Sequence, residues 1–291
     1  MSTQFLQFLL SGVTIGAVYA LAALGFTLIY NASNVINFAQ GEFIMLGGML
    51  AVYFATKGLP IPVAFLLAII LPALVGFLMA KLTIVPIKNA EIMTLVIVTI
   101  GVSLVIRGGV QVWLGKASHS LPAFSGETPI DIFGAVLMPQ SLWVIGVSAL
   151  IVAALWLFFS HSRSGKAMLA TSYNRLAAEL VGINTNWVLF LSFALSAGIG
   201  ALGGILITPI TLTTFDVGIM LGLKGFAAAV LGGLGSGLGA IVGGLIVGII
   251  EAFGAGYLSS SYKDAIPFVL ILLILFFIPR GLFGGKSVDR V

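Results

Sequence analysis

Asn31, Asn34, Asn37, Gln40 and Glu42 form an amide-rich break between two long apolar runs. Asp216 and Lys224 flank a second break, and Glu251 and Arg107 stand within or beside apolar runs. Side chains of this kind hold polar solutes, ions or neighbouring helices. An ionisable group in hydrocarbon costs roughly 2.5–3.5 kcal/mol even on a lenient insertion scale, so each must face a partner, a cavity or the interface. For Glu42 and Lys224 two readings stand, a place on a solute path or gate and a structural ion pair. Both sit next to glycine-rich breaks, where transporters place binding backbone. For Glu251 and Arg107 the reading is a paired or interfacial charge. Bond-breaking chemistry has no footing. There is no HExxH and no G-x-S-x-G, and no nucleophile–base pair or set of metal carboxylates at helical spacing. There is no Cys, and His119 and His161 lie in separate polar stretches. The GLFGGKS at 281–287 lacks the leading Gly of a phosphate loop, because Arg280 holds that position. Gly235, Gly237 and Ala240 match a loose G-x-G-x-x-A, but no strand precedes them. No catalytic residue, no metal site and no enzyme activity are expected.

The elements that position these residues are helices in a bilayer. Of 291 residues 60% are hydrophobic and only 8% are charged, where a soluble domain is about a quarter charged. Such a chain cannot cover a globule with polar side chains. This excludes a soluble enzyme, a nucleic-acid-binding domain and a disordered chain. A β-barrel would alternate apolar and polar residues, whereas here the apolar runs are continuous. They lie at 5–30, 43–56, 61–80, 92–114, 141–159, 187–207, 238–258 and 265–279, with a shorter piece at 221–231. The expected fold is all-α, a polytopic membrane bundle of about 8–10 segments, some short, broken or re-entrant. It forms one transmembrane domain over 1–291. The first Lys or Arg is Lys57, so the N-terminal run reads as a permanent helix and not a cleaved signal.

Lys81, Lys88, Arg163, Lys166, Arg175, Arg280, Lys286 and Arg290 share one side if the segments alternate and 221–231 counts as one of them. The positive-inside rule makes that side cytoplasmic. Lys57, Lys116 and Lys263 then face outward, as does the N-terminus. The stretch 31–42 is either a re-entrant element or part of an extra span. The outer loop runs over about 115–140 and the inner one over about 160–186. Residues 165–182 of the inner loop read as one helix suited to contact with another protein or to capping the bundle.

Glycine is abundant, at 37 residues, and much of it falls in ladders. Gly235, Gly239 and Gly243 form one, Gly244, Gly248 and Ala252 a second, and Ser196, Gly200 and Gly204 a third. Positions four apart share a helix face, and small residues there let another helix approach closely. Helix packing within the chain is the expected use. Gly41-Glu42-Phe43 with Leu46-Gly47-Gly48 resembles Gly225-Phe226 with Leu231-Gly232-Gly233. Those breaks fall on opposite sides of the membrane, as an inverted repeat requires. The residues leave three classes open: a permease subunit driven by separate ATPase chains, an ion-coupled carrier, and a channel. The inner helix favours the first.

Several longer motifs resemble a known family. They are Gly16-Ala17-Val18-Tyr19-Ala20-Leu21, Gly25-Phe26-Thr27-Leu28-Ile29-Tyr30 and Val35–Phe43. In the second half they are Gly222-Leu223-Lys224-Gly225-Phe226 and Ala228–Ser236. Together they resemble branched-chain amino acid ABC transporter permeases of the LivH type, over essentially the whole chain. The resemblance implies a permease of the bacterial inner membrane with a second related permease and two cytoplasmic ATP-binding subunits. It also implies an extracytoplasmic solute-binding protein, and no nucleic acid. This chain would hold no cofactor, ATP and Mg being bound by the partner subunits. Leu, Ile and Val would be the cargo; the family also includes permeases for urea and short amides, and a stand-alone ion-coupled carrier is the other alternative. Arg175, Ala177, Ala178, Glu179 and Gly182 match the place of the loop that couples to the ATPase. There the acidic residue follows the two Ala instead of preceding them. The path would lie against the partner permease, with Asn37, Gln40, Glu42 and Lys224 lining or gating it.

Overall fold

The computed structural model describes residues 2–87 and 90–284; Lys88, Lys286 and Arg290 lie outside the described residues. The chain forms eleven α-helices and one small hairpin among those residues. The first half holds α1 (Ser2–Ser33), α2 (Gln40–Thr56), α3 (Ile61–Met79) and α4 (Ile92–Leu114). A widened turn, Ala80–Ile84, and a tight one, Val85–Ile87, extend α3. The strands β1 (Ile130–Ile132) and β2 (Ala135–Leu137) follow, then α5 (Pro139–His161), α6 (Arg163–Tyr173) and α7 (Arg175–Leu180). The second half holds α8 (Thr185–Thr211), α9 (Val217–Gly232), α10 (Gly237–Tyr257) and α11 (Ile266–Phe277). Six helices among the described residues are long and apolar enough to cross a membrane. The expected apolar runs all fall on helices.

The two halves repeat each other. Each opens with a long helix that ends at a left-handed residue, Asn34 at φ 55° and Leu212 at φ 64°. A short break and a shorter helix follow, α2 of 17 residues and α9 of 16. Then come two more helices. The packing is reciprocal too: α1 lies on α9 and α10 as α8 lies on α2 and α3. Near the middle, α2 and α9 cross at two glycines. A methyl at Gly218 would come within 2.5 Å of the Gly41 carbonyl oxygen, and one at Gly41 would strike the Gly218 carbonyl. In a two-fold repeat each contact between the halves is matched by a second one made by the equivalent residues. Gly47 meets Ala201 as Gly225 meets Ala22. The repeat therefore matches Gly47 to Gly225, a register that brings Gly41 to within one residue of Gly218. The short sequence match had set Gly41 against Gly225, about two helical turns away. Glycines recur often enough in both segments to fit either register, and only the packing separates them.

α1 and α8 run in opposite directions, as Ser196 meets Gly25 while Gly203 meets Val18 and Leu21. The repeat is thus inverted. In lipid no hydrophobic force drives one helix onto another, so close van der Waals contact must do it. The ladders supply that contact within the chain. Gly200 and Gly204 face α2, Gly239 and Gly243 face α9, and Gly244 and Gly248 face α1. Gly235 departs from its ladder. It lies before α10 at φ 93°, because Ser236 caps that helix by accepting from the Gly239 N–H at 3.0 Å. A methyl at Gly204 would run into the carbonyl of Ile44, which is backbone and cannot yield. Gly204→Val is expected to destabilise the bundle by about 1–3 kcal/mol. Gly101, with nothing near it, should accept Ala without loss. Thermal melts of the two purified variants test the contrast, and equal melting temperatures would refute it.

The course of the helices, with α1 antiparallel to both α8 and α10, puts Lys81, Arg163, Lys166, Arg175 and Arg280 at one end. Lys57, Lys116 and Lys263 lie at the other. The hairpin lies at that second end. It turns through Phe133 and Gly134, at φ 52° and 84°, the geometry of a tight hairpin turn. The Gln7 amide bonds both backbone groups of Val136, at 2.9 and 2.7 Å, and ties the hairpin to α1.

Candidate functional site

The first break dips back into the bundle. Gln40 stands beside Gly25, about 12 Å short of the end of α1 by helical rise. There the Ser196 hydroxyl donates to the Gly25 carbonyl at 2.8 Å and bonds Gln40 Oε1 at 2.6 Å. Gln40 Nε2 donates to the Ser196 carbonyl at 3.2 Å. A methyl on Gly25 would fall on the Gln40 amide. Asn37 is fully buried, and its Oδ1 accepts from the Ala39 N–H at 3.0 Å to shape the turn. Both amides thus sit inside the helix packing.

Glu42 opens differently. It lies in the first turn of α2, where the positive end of the helix favours a carboxylate. Its Oε1 accepts from Ser103 Oγ at 2.8 Å, Arg107 Nε at 3.1 Å and Arg107 Nη2 at 2.5 Å. Its Oε2 is buried without a hydrogen-bond partner among the described residues. The group borders a cavity of about 160 Å³ between α4 and α9, walled by Phe26, Phe38, Phe226 and Leu223. Phe226 packs between Phe26 and Phe38 with ring centroids 5.7 Å apart on each side.

Lys224 belongs to a second cluster. Its Nζ donates to Glu251 Oε1 at 2.8 Å and to Asp264 Oδ1 at 2.6 Å. The Tyr19 hydroxyl donates to Glu251 Oε2 at 2.9 Å. The structure therefore does not pair Glu42 with Lys224. Each has its own partner of opposite sign, Arg107 and Glu251. The Lys224 cluster borders a cavity of about 330 Å³ that Asp216 and Lys263 also line. A larger apolar cavity of about 590 Å³, with Trp156 and Phe159 in its wall, has no charged side chain among the described residues around it.

Asp264 lies in the connection between α10 and α11. The Lys224 hydrogen bond holds its carboxyl below the usual range, against the opposing effect of burial. A lowered carboxyl stabilises the fold above its ordinary pKa of about 3.9, and that contribution is lost as pH falls through the lowered value. Its side chain is 48% exposed, so water screens the pair. Asp264→Asn should cost less than about 1 kcal/mol at neutral pH, with the gap to wild type closing on acidification. Melting curves across that pH range check this, and a pH-independent gap would contradict it.

At the basic end, residues 163–180 are two helices and not the single helix expected over 165–182. Asn174 leaves the helical conformation and caps α7, its Oδ1 accepting from the Ala177 N–H at 3.0 Å. A capping Asn competes with the ladder that a continuous helix would need. Glu179 is held by Thr185 at 2.5 Å and Arg175 at 3.4 Å, which fastens α7 to the start of α8. Ala178 is buried, while Ala177 is exposed. Gly182, at φ 86°, closes α7 with its N–H on the Glu179 carbonyl, and Ile183 N–H reaches the Ala178 carbonyl. That closure requires a left-handed residue. Leu176, Leu180 and Val181 are 68%, 81% and 77% exposed.

Residues 8–275 match the family described as branched-chain amino acid transport system, permease component. The chain belongs to that family. It is 35% identical to the high-affinity branched-chain amino acid transport system permease protein LivH of Salmonella typhimurium, over 100% of both chains. It is 33% identical to BraD of Pseudomonas aeruginosa, a permease of the same description, over 99% of this chain and 98% of that one. It is 29% identical to the ribose import permease RbsC of Escherichia coli, over 88% of this chain and 81% of that one. The family is one of transport permeases and not of enzymes, and the apolar helices make this permease an integral membrane protein.

Arg107 reads from the sequence as a paired or interfacial charge, and it is paired, but its partner Glu42 was not foreseen, and Ser103 and Asp264 were passed over. Arg107 stands 65 positions from Glu42, and no local pattern joins them. The one available signal was charge balance. A buried carboxylate demands a cation, and few lie within apolar runs.

Proposed function

We propose that this permease is the translocating subunit of an ABC importer for leucine, isoleucine and valine in the bacterial inner membrane. ATP hydrolysis in separate cytoplasmic subunits drives it. The observation that carries the reading is full-length kinship to permeases named for branched-chain amino acid transport. The exposed apolar surface of α7 at the basic end supports an ATPase contact there, because soluble surfaces seldom leave such patches bare. A related permease covers the face where α2 and α9 cross, and a loaded binding protein docks at the opposite end, near the hairpin. The two broken helices start inside the bundle and diverge from one crossing point, and rocking of one repeat against the other opens either side in turn. The test is radiolabelled leucine uptake into proteoliposomes, with this chain alone and with its ATPase, permease and binding-protein partners. Uptake only in the complete, ATP-loaded assembly is the expected result. Uptake by the chain alone would overturn it in favour of a carrier or channel.

A further inference from the structure

The Glu42–Arg107 cavity has features that a structural ion pair does not need. All three bonds to the carboxylate converge on Oε1, and Oε2 is left bare although Glu42 is only 1% exposed. An unpaired carboxylate oxygen in an apolar interior is costly. A pair selected for stability alone would meet Arg107 through both oxygens, in the two-pronged geometry that guanidinium and carboxylate favour. Arg107 bonds Glu42 through Nε and Nη2, and Nη1 takes part in neither bond. Its side chain keeps 22% exposure. Next to these two charges stands the wall of Phe26, Phe226, Phe38 and Leu223.

We propose that this cavity binds the cargo in transit, as a zwitterionic amino acid with an apolar side chain. Glu42 Oε2 accepts from the ammonium, Arg107 donates to the carboxylate, and the aromatic wall meets the aliphatic side chain. The proposal rests on the function proposed above. Its physical basis is charge balance. The protein pair is neutral and so is the zwitterion, so loading buries no net charge, whereas a free cation or anion would. The bare Oε2 gains the donor that it lacks. Gly218 borders that oxygen and adds no side chain against it, since a methyl there would come within 3.1 Å of it. Neither neighbouring cavity offers this set. The Lys224 cluster engages both Glu251 oxygens, and the 590 Å³ cavity holds no charge.

Two variants of the complete transporter test this, with leucine as the probe. Glu42→Gln keeps an acceptor for Ser103 and Arg107 and removes the charge that meets the ammonium. Glu42→Leu with Arg107→Leu removes the pair altogether, a change that buried structural pairs tolerate. Both variants should co-purify with the ATPase subunits and keep ATPase stimulation by loaded binding protein. Both should lose leucine uptake by about 10–100-fold, the worth of a charge-assisted bond. Wild-type uptake in Glu42→Gln, recovery of uptake in the double variant, or failure of the double variant to assemble would each return the pair to a structural role. Failure of the wild-type assembly to take up leucine would overturn the proposed function instead, which keeps the two outcomes apart.

Discussion

Lys224→Met should destabilise the permease by about 3–5 kcal/mol, the usual penalty for removing one partner of a buried ion pair. Lys224 is 4% exposed and Glu251 5%. Its loss strands the Glu251 carboxylate among α1, α9 and α10 with only the Tyr19 hydroxyl for company. Asp264 is half-exposed and falls back on water. The penalty is therefore Glu251's alone, and a second change identifies it. Glu251→Gln added to Lys224→Met removes the stranded charge and keeps an acceptor for Tyr19, so most of the stability should return. The measurement is the melting temperature of the purified complex, with membrane abundance as a second reading. A single variant as stable as wild type, or a double variant no better than the single, would show that the cluster does not hold the bundle. Uptake in the double variant then separates packing from transport: restored stability without restored uptake would place Lys224 on the solute path.

How far the sequence discloses these sites depends on the distance over which each is decided. Helix positions follow from apolar runs and are decided locally, so α1–α5 and α8–α11 lie where composition puts them. The two breaks were visible for the same reason, as clusters of amides and glycines that cannot sit quietly in lipid. What stayed hidden is relational. Glu42 takes its cation from α4 and Lys224 takes its anions from α10 and the loop beyond. Gln40 was legible as a polar residue at depth but not as the residue locked onto Ser196 across the bundle. The repeat shows the same limit. Its existence was readable from a short glycine match, but its register was not, since Gly41 meets Gly218 only once the helices cross. A third failure was local. Asn174 ends one helix and begins the next by a side-chain cap, and it lies in a stretch whose average composition reads as continuous helix.

Leu180→Asp, with Leu176→Asp beside it, is expected to uncouple the permease from its ATPase. The two positions are four apart on α7 and share a face, and Val181 extends their surface. That face is apolar and exposed, whereas Glu179 and Arg175 are tied to Thr185 at the start of α8. Contact energy in interfaces concentrates in a few desolvated side chains worth about 2 kcal/mol each, or about 30-fold in affinity. A carboxylate buried against a partner loses that and adds a desolvation penalty. The doubly substituted permease should therefore reach the membrane and melt normally, because both leucines are largely exposed. It should bind the ATPase subunits at least about 30-fold more weakly and lose stimulated ATPase activity and leucine uptake together. Phe133→Asp, at the hairpin tip on the other end, is the control and should leave ATPase binding unchanged. Substitution of Gly182 is the poorer probe. Its left-handed backbone makes any side chain a strain on α7, so loss of function there would not distinguish docking from folding. Normal ATPase retention in the double-Asp permease would move the contact off α7, leaving α6 as the remaining helix at the basic end of the bundle between α5 and α8.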